Sequence, residues 1–308
     1  MKIDTCPSKD ISLIDSSSCI YWACLPPYRV LFLFAAAAHV SKERRDGGDE
    51  ACFRFPSTSD RFRRGRRPSA NVLPRGAQPE SAPLLSSALE PRAARLRVCA
   101  DGGANRIYDE MPELFPEQDP HDVRLRYKPD VIKGDMDSIR AEVKEFYSNL
   151  GVMIVDESSD QDTTDLHKCI TFICDRTPAF GKSDLCILAS GALGGRFDHE
   201  MGNINVLYRF SNIRIVLLSD DCLIYLLPKT HCHEILIQAT VEGPHCGLIP
   251  AGAPSMRTTT TGLQWNLTES EMGFGGLIST SNLVKEEKIT VRSDSDLLWT
   301  ISIRKTNE

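Results

Sequence analysis

Between residues 96 and 218 short apolar runs alternate with stretches of helical period, and no other feature of the chain constrains its fold as tightly. Runs at 96–100, 130–133, 152–155, 185–189 and 213–218 have the length and β-branched content of buried strands. The intervening segments predict helices over roughly 104–111, 139–150, 163–175 and 199–210. In the third of these, Leu166, Cys169, Ile170 and Ile173 recur at the spacing of a single helical face. Such alternation predicts an α/β fold with a doubly wound, mostly parallel sheet. Ligands of open sheets of this kind bind beyond the carboxyl ends of the strands, so the residues that follow each run carry the functional information.

The helical signal fades after residue 221. "CLIYLLP", "HEILIQAT", "CGLIP", "TTTTGLQWNL", "GGLISTSN", "KITVRS" and "LLWTISI" are short strand-like runs punctuated by Gly, Pro, Asn and Asp. They predict an antiparallel all-β sandwich or barrel over residues 222–308. Upstream, residues 1–95 include the Arg-, Pro- and Ser-rich stretch "RFRRGRRPSANVLPRGAQPESAP", which lacks a sustained period and predicts a poorly structured leader. The expected organisation is therefore leader, α/β domain over 96–221, and β domain.

Net charge and cysteine usage narrow the partners. A charge of −6 and a pI near 5.7 provide no global field for nucleic acid, and "RFRRGRRPS" reads as a solvated charge run. The early run "YRVLFLFAAAAHV" is short for a membrane span, follows two prolines and carries Arg29 near its start. The first residues, "MKIDTCPSKDISLID", have no apolar signal core, and the 11 cysteines show no paired spacing. These features predict a cytosolic protein with reduced thiols, binding neither nucleic acid nor membrane.

The strand ends supply acids and glycines. After the first run comes "ADGGANR", with Asp101, Asn105 and Arg106; after the second comes "KGDMDS", with Asp135 and Asp137. If the chain is still extended there, both carboxylates leave one face and repel unless a cation lies between them. A hard dication such as Mg²⁺ would suit them, and a helix cap by Asp137 or Ser138 is the structural alternative. "SDQDTTD" brings Asp160, Gln161, Asp162, Thr163, Thr164 and Asp165 to a helix start, where acids also serve the helix dipole. "GALGGRFD" forms a glycine turn whose amides can face a phosphate, with Arg196 and Asp198 beside it.

In the β region Trp265 stands in a threonine-rich context, and "GGLISTSN" offers Ser279 and Asn282. The tryptophan can be core or can stack on a cationic ligand. "HCHE" and "PHCG" contain His and Cys, but Cys232 alternates away from both histidine neighbours in a strand, and no C-x₂-C pair supports zinc.

Taken together, "ADGGANR", "GDMDS", "DQDTTDL", "GALGGRFDH", "TTTTGLQWNL" and "GLISTSN" occur in the order and spacing of the thiamine pyrophosphokinase (thiamine diphosphokinase) family. The chain resembles its plant forms over about two thirds of its length. The resemblance implies a transferase that moves a pyrophosphoryl group from ATP to the hydroxyl of thiamine, giving thiamine diphosphate and AMP. It implies Mg²⁺ and a homodimer whose sites lie between the α/β domain of one subunit and the β domain of the other. Asp135, Asp137 and Asp165 are then the catalytic and metal-binding acids; which acid takes the hydroxyl proton stays open, with Asp165 the candidate. Asp101, Asn105, Gln161, Thr164, Arg196 and Asp198 would meet nucleotide and substrate, while Trp265, Ser279 and Asn282 form the thiamine wall.

One departure stands out. Family members begin the α/β domain with an apolar strand ending in "NQP", and here arginine-rich sequence lies upstream instead. "RVLFLFAAAA" has strand character but lies far away and lacks the motif. A sheet missing a strand exposes an edge, which leaves open a chain that only binds its ligands. A metal-dependent phosphohydrolase is the further enzymatic alternative.

Overall fold

The computed structural model describes residues 96–177, 185–219 and 221–304, together with the backbone strands β1 (Ser8–Ser12) and β2 (Phe32–Ala37). The remainder of the predicted leader lies outside the described residues. The α/β region runs β3 (Leu96–Ala100), α1 (Gly103–Glu110), α2 (Pro120–Arg126), β4 (Val131–Gly134), α3 (Ala141–Asn149) and β5 (Met153–Asp156). It continues with α4 (Asp165–Arg176), β6 (Leu185–Ser190), α5 (Phe197–Arg209) and β7 (Arg214–Leu218). Eight strands follow: β8 (Cys222–Leu227), β9 (Cys232–Leu236), β10 (Glu242–Ile249), β11 (Ser255–Thr261), β12 (Ser270–Met272), β13 (Ser279–Leu283), β14 (Lys288–Ser293) and β15 (Leu297–Ile303).

The expected strands and four expected helices are present. α2 is additional, although its start follows ordinary rules. Asp119 caps it by accepting from the backbone N–H of His121 and Asp122, and Pro120 fills the first turn, where no N–H partner is needed.

Ten strands form one sheet in the order β13-β10-β15-β8-β7-β6-β2-β3-β4-β5. β3, β4 and β5 are parallel, as are β6 and β7. Side-chain alternation explains the double winding. Val98, Val131, Ile215 and Leu217 pack with Leu166, Ile170 and Ile173 of α4 on one face. Cys99, Ile132, Val216 and Leu218 pack with Ile107, Val143 and Tyr147 of α1 and α3 on the other.

Continuous pairing of β7 with β8 carries this sheet across residue 222 into the antiparallel region. There Leu223, Tyr225, Leu297, Trp299 and Ile301 share an apolar cluster with Ile235, Ile289 and Val291 of the second sheet. That sheet has the order β1-β9-β14-β11-β12. The result is the expected sandwich, with one parallel pair at its edge, β1 with β9.

The position between β3 and β6 departs from expectation. β2 fills it and runs antiparallel to both neighbours. The run that sequence patterning left distant from the α/β domain thus enters its central sheet, in the opposite direction to the strands around it.

Candidate active site

β3, β4 and α4 each deliver one aspartate to the carboxyl end of the sheet. Carboxylate oxygens of Asp101, Asp135 and Asp165 all lie within 4.8 Å of one another. Asp101 follows β3 and is 1% exposed, with a left-handed φ of 33°. A non-glycine residue in that region stores strain, which the surrounding contacts must hold. Its carboxylate accepts from the backbone N–H of Ser138 at 3.0 Å and Ile139 at 3.2 Å, and its own N–H donates to the Lys133 carbonyl. Gly134 makes the convergence possible: a Cβ there would sit 2.6 Å from the Asp101 Cβ and 3.0 Å from Asp165 Oδ1.

Like charge and burial shape the titration of this trio. Burial raises Asp165 to about 6, with the Asp135 and Asp101 charges adding to the rise. Burial also raises Asp101, opposed by the two amides it accepts from. Asp165 Oδ1 is buried and has no hydrogen-bond partner; Lys168 Nζ, 3.7 Å away, is an ion-pair neighbour beyond hydrogen-bond reach. Three converging carboxylates with an unsatisfied oxygen are a donor set suited to a hard dication.

β4 ends at Gly134 and Met136 adopts φ 64°, so the chain turns before Asp137 instead of extending, while the Asp137 carboxylate stays beside those of Asp135 and Asp101. The Asp137 carboxylate accepts from Ser138 Oγ at 2.7 Å, which holds its pKa below the usual carboxylate range. Asp137 lines the cleft at its exposed edge, and Asp101, read from sequence as a nucleotide contact, takes the third position among the converging acids.

The run before α4 is a knot of local bonds. Asp160 Oδ1 accepts from the N–H groups of Asp162 and Thr163 at 3.0 and 3.2 Å, and Thr163 Oγ1 donates to its other oxygen. Thr164 caps the helix by accepting from the His167 N–H at 3.3 Å. Asp165 opens the helix, and Asp162 lies outside it. Gln161 Nε2 donates to the Ser158 carbonyl and holds the loop.

Opposite the acids, Gly191 and Gly194 turn the chain with φ of 75° and 87°. Arg196 Nε donates to Asp198 at 3.1 Å, and both side chains are exposed. Asp135, Asp137, Thr164, Asp165, Arg196 and Asp198 line one cleft of about 520 Å³. Asn105 borders it: its Nδ2 donates to the Ser138 carbonyl at 2.8 Å, and its Oδ1 accepts from the Arg140 N–H at 3.0 Å.

Trp265, Ser279 and Asn282 gather elsewhere, on the sandwich. Buried Asn282 accepts from the Trp265 N–H at 3.1 Å, donates to its carbonyl at 2.8 Å, and reaches Ser279 Oγ at 3.3 Å. The Trp265 ring is 59% exposed, and Met256, Phe274 and Leu277 are exposed as well. These three site candidates lie together but outside the cleft lining of their own chain.

Sequence reasoning passed over two lysines. Lys133, 5% exposed, pairs with Glu157 beneath the acid loop, and Lys168, 4% exposed, faces Asp165. A lysine inside an otherwise apolar strand or on a buried helical face was the available signal, since such a cation is buried only when paired.

An open α/β sheet with an acidic strand-end rim, facing a glycine–arginine turn and continued into a β-sandwich, is the arrangement of a protein suited to bind a metal–phosphate ligand. Residues 89–217 match the family described as "Thiamin pyrophosphokinase, catalytic domain", and residues 232–298 match "Thiamin pyrophosphokinase, vitamin B1 binding domain". The chain belongs to the thiamin pyrophosphokinase family. It is 71% identical over 226 residues to thiamine pyrophosphokinase 1 of Oryza sativa subsp. japonica, spanning 73% of this chain and 84% of the relative. Thiamine pyrophosphokinase 1 of Arabidopsis thaliana is 72% identical over 213 residues, 69% of this chain and 80% of that one. The crystal structure of the Candida albicans enzyme covers 71% of this chain and 84% of its own at TM-score 0.57 and 26% identity. That of yeast thiamin pyrophosphokinase aligns at TM-score 0.59 and 24% identity, covering 69% and 80%, and shares the fold.

Proposed function

We propose that this chain is a thiamine pyrophosphokinase, which transfers the pyrophosphoryl group of ATP to the hydroxyl of thiamine and yields thiamine diphosphate and AMP. The hydroxyl oxygen attacks the β-phosphorus, the bond from that phosphorus to the α–β bridging oxygen breaks, and AMP departs. The observation that carries the reading is the convergence of Asp101, Asp135 and Asp165 within 4.8 Å at the strand ends. The family membership does not favour the phosphohydrolase or binding-only alternatives.

Asp101, Asp135 and Asp165 are proposed to hold Mg²⁺, with Asp137 at its solvent side. When bound, the ion neutralises phosphate charge and orients the transferring group. Arg196, freed from Asp198, supplies a planar fork of donors to phosphate oxygens, and Asn105 and the Gly191–Gly194 turn border the nucleotide. Asp165 is also assigned to accept the hydroxyl proton. Gln161 and Thr164 flank the acceptor.

Thiamine carries a cationic thiazolium, which an exposed tryptophan face suits. Trp265 lies outside its own chain's cleft, so the proposed assembly is a homodimer in which the Trp265, Ser279 and Asn282 wall of one copy closes the acidic cleft of the other. Among the described residues no helix is long and apolar enough to cross a membrane. The cytosol, where thiols stay reduced, is the proposed place of action.

Purified chain with ATP, Mg²⁺ and thiamine should release AMP and thiamine diphosphate in equal amounts. Chelation should stop the reaction, and added Mg²⁺ should restore it. ATP turnover that proceeds equally well without thiamine would replace this reading with a phosphohydrolase.

A further inference from the structure

The two halves of the candidate site hang from different parts of the sheet. Asp101, Asp135 and Asp165 follow β3, follow β4 and open α4; the Gly191 turn and Arg196 follow β6. β3 and β6 are not neighbours. β2 lies between them, pairing Phe32 with Cys99, Leu33 with Val98, Phe34 with Arg97 and Ala35 with Leu96 on one side. On the other side it pairs residues from Phe32 to Ala37 with Ser190 back to Leu185. Strands in a sheet stand about 4.8 Å apart, so β3 and β6 are separated by about twice that distance and share no ladder of their own.

Without β2 the sheet divides into two pieces: β13-β10-β15-β8-β7-β6, and β3-β4-β5. Each would expose a row of unpaired backbone groups facing the other across the gap. The division falls between Ser190, which precedes the glycine turn, and Ala100, which precedes Asp101. Among the described residues α4, packed over β2, β3 and β4 and against α5, helps tie the halves together, as do the apolar clusters on the two sheet faces. The direction of β2 is informative as well. β3 to β5 and β6 to β7 all run toward the rim, as right-handed crossovers produce. β2 runs away from it, so it is not a step of that winding but a segment of the leader inserted into it.

We propose that Phe32–Ala37 is a positioning element of the active site. It braces the acid half against the glycine–arginine half, and the competence of this chain depends on a strand drawn from its atypical leader. The catalytic consequence rests on the thiamine pyrophosphokinase reading; the brace itself does not.

Two measurements on the full chain test it. The first is hydrogen exchange of Ala35→Pro against wild type. Proline deletes a ladder donor whichever neighbour that N–H faces. Amides of 96–100 and 185–190 should exchange at least about tenfold faster in the variant, while those of 297–303, remote from β2, keep their wild-type rates. kcat/KM for ATP should fall in the same variant by at least about tenfold, as expected when reacting groups lose their relative placement.

The second measurement reads direction and does not depend on activity. Phe32→Cys places a thiol opposite native Cys99, and Ala36→Cys places one opposite native Cys186. Cross-linking with a short thiol-reactive reagent, followed by peptide mapping, should give the 32–99 and 36–186 pairs. Exchanged pairs, or no cross-link in either variant, overturn the placement of the strand. Faster exchange with unchanged kcat/KM overturns the positioning role, and unchanged exchange together with unchanged turnover overturns the proposal. A wild-type chain that shows both cross-links and β2-dependent protection but makes no thiamine diphosphate contradicts the proposed function and leaves the brace intact.

Discussion

Asp101 is 1% exposed, sits in a strained backbone conformation and receives two backbone amides, so the chain's own backbone holds this part of the acidic rim. The Trp265 wall contrasts with it: the backbone of Trp265 is pinned by buried Asn282, but its ring stands 59% exposed beside other exposed apolar side chains. Burial is affordable for the acids because a cation can later offset their repulsion, whereas an aromatic surface gains by waiting for something to cover it. The contrast fits the proposed division of labour, with chemistry at the acidic rim and the aromatic wall closing the site of a second copy.

Asp135→Asn should break the rim most severely. Removing one of three converging carboxylates should lower kcat by about a thousandfold or more, since charge neutralisation supplies several kcal/mol of the barrier reduction. The melting temperature should hold or rise, because like-charge repulsion is relieved. Retained turnover in a steady-state assay would remove Asp135 from the site.

Gly134→Ala tests the same half without changing charge. Its Cβ would lie 2.6 Å from the Asp101 Cβ, so Asp101 must move away from Asp165. A loss of about a hundredfold in kcat is expected, as for other displacements of about 1 Å in reacting groups. Mn²⁺ titration followed by electron paramagnetic resonance should show weakened binding in step.

On the sandwich side, Trp265→Ala should raise KM for thiamine about tenfold, the scale of a desolvated cation–π contact, and leave thermal stability nearly unchanged. Asn282→Ala should do the reverse. It strips the backbone bonds that hold residue 265 and should cost about 1–3 kcal/mol in urea denaturation.

The smallest effect concerns pH. Burial raises Glu242 to about 7 from an ordinary 4.5, and its Oε1 is unpaired. Between those pH values the folded chain keeps a proton that the unfolded chain has released, so stability falls as pH rises through that window. Glu242→Gln should flatten this slope in melts between pH 4.5 and 8 without altering turnover. An unchanged slope would mean that Glu242 is ionised in the fold.

Much of this was legible in the residues. Strand–helix alternation located the parallel strands and the rim because burial on both faces leaves a period that survives in sequence. Which acids meet was less legible. Asp135 and Asp137 look equivalent as i and i+2 neighbours, but the left-handed turn at Met136 leaves Asp135 among the converging acids and Asp137 at the exposed edge, and no local pattern marks a residue that will adopt positive φ against its preference. Asp101 gains its place through amides 37 and 38 residues away, a contact only the fold creates. The β2 insertion was hidden for the same reason: an apolar run states that it will pair, but neither with which strands nor in which direction.

The most direct test of the central claim mixes two crippled chains. Asp135→Asn lacks the acid half and Trp265→Ala lacks the aromatic half. If each site is shared between copies, co-refolding them should yield heterodimers in which one of the two sites is intact. Random pairing should then recover about a quarter of wild-type turnover, measured at limiting thiamine. Activity that stays at the average of the two parent chains assayed alone would show that each chain carries a complete site of its own, and would contradict the account.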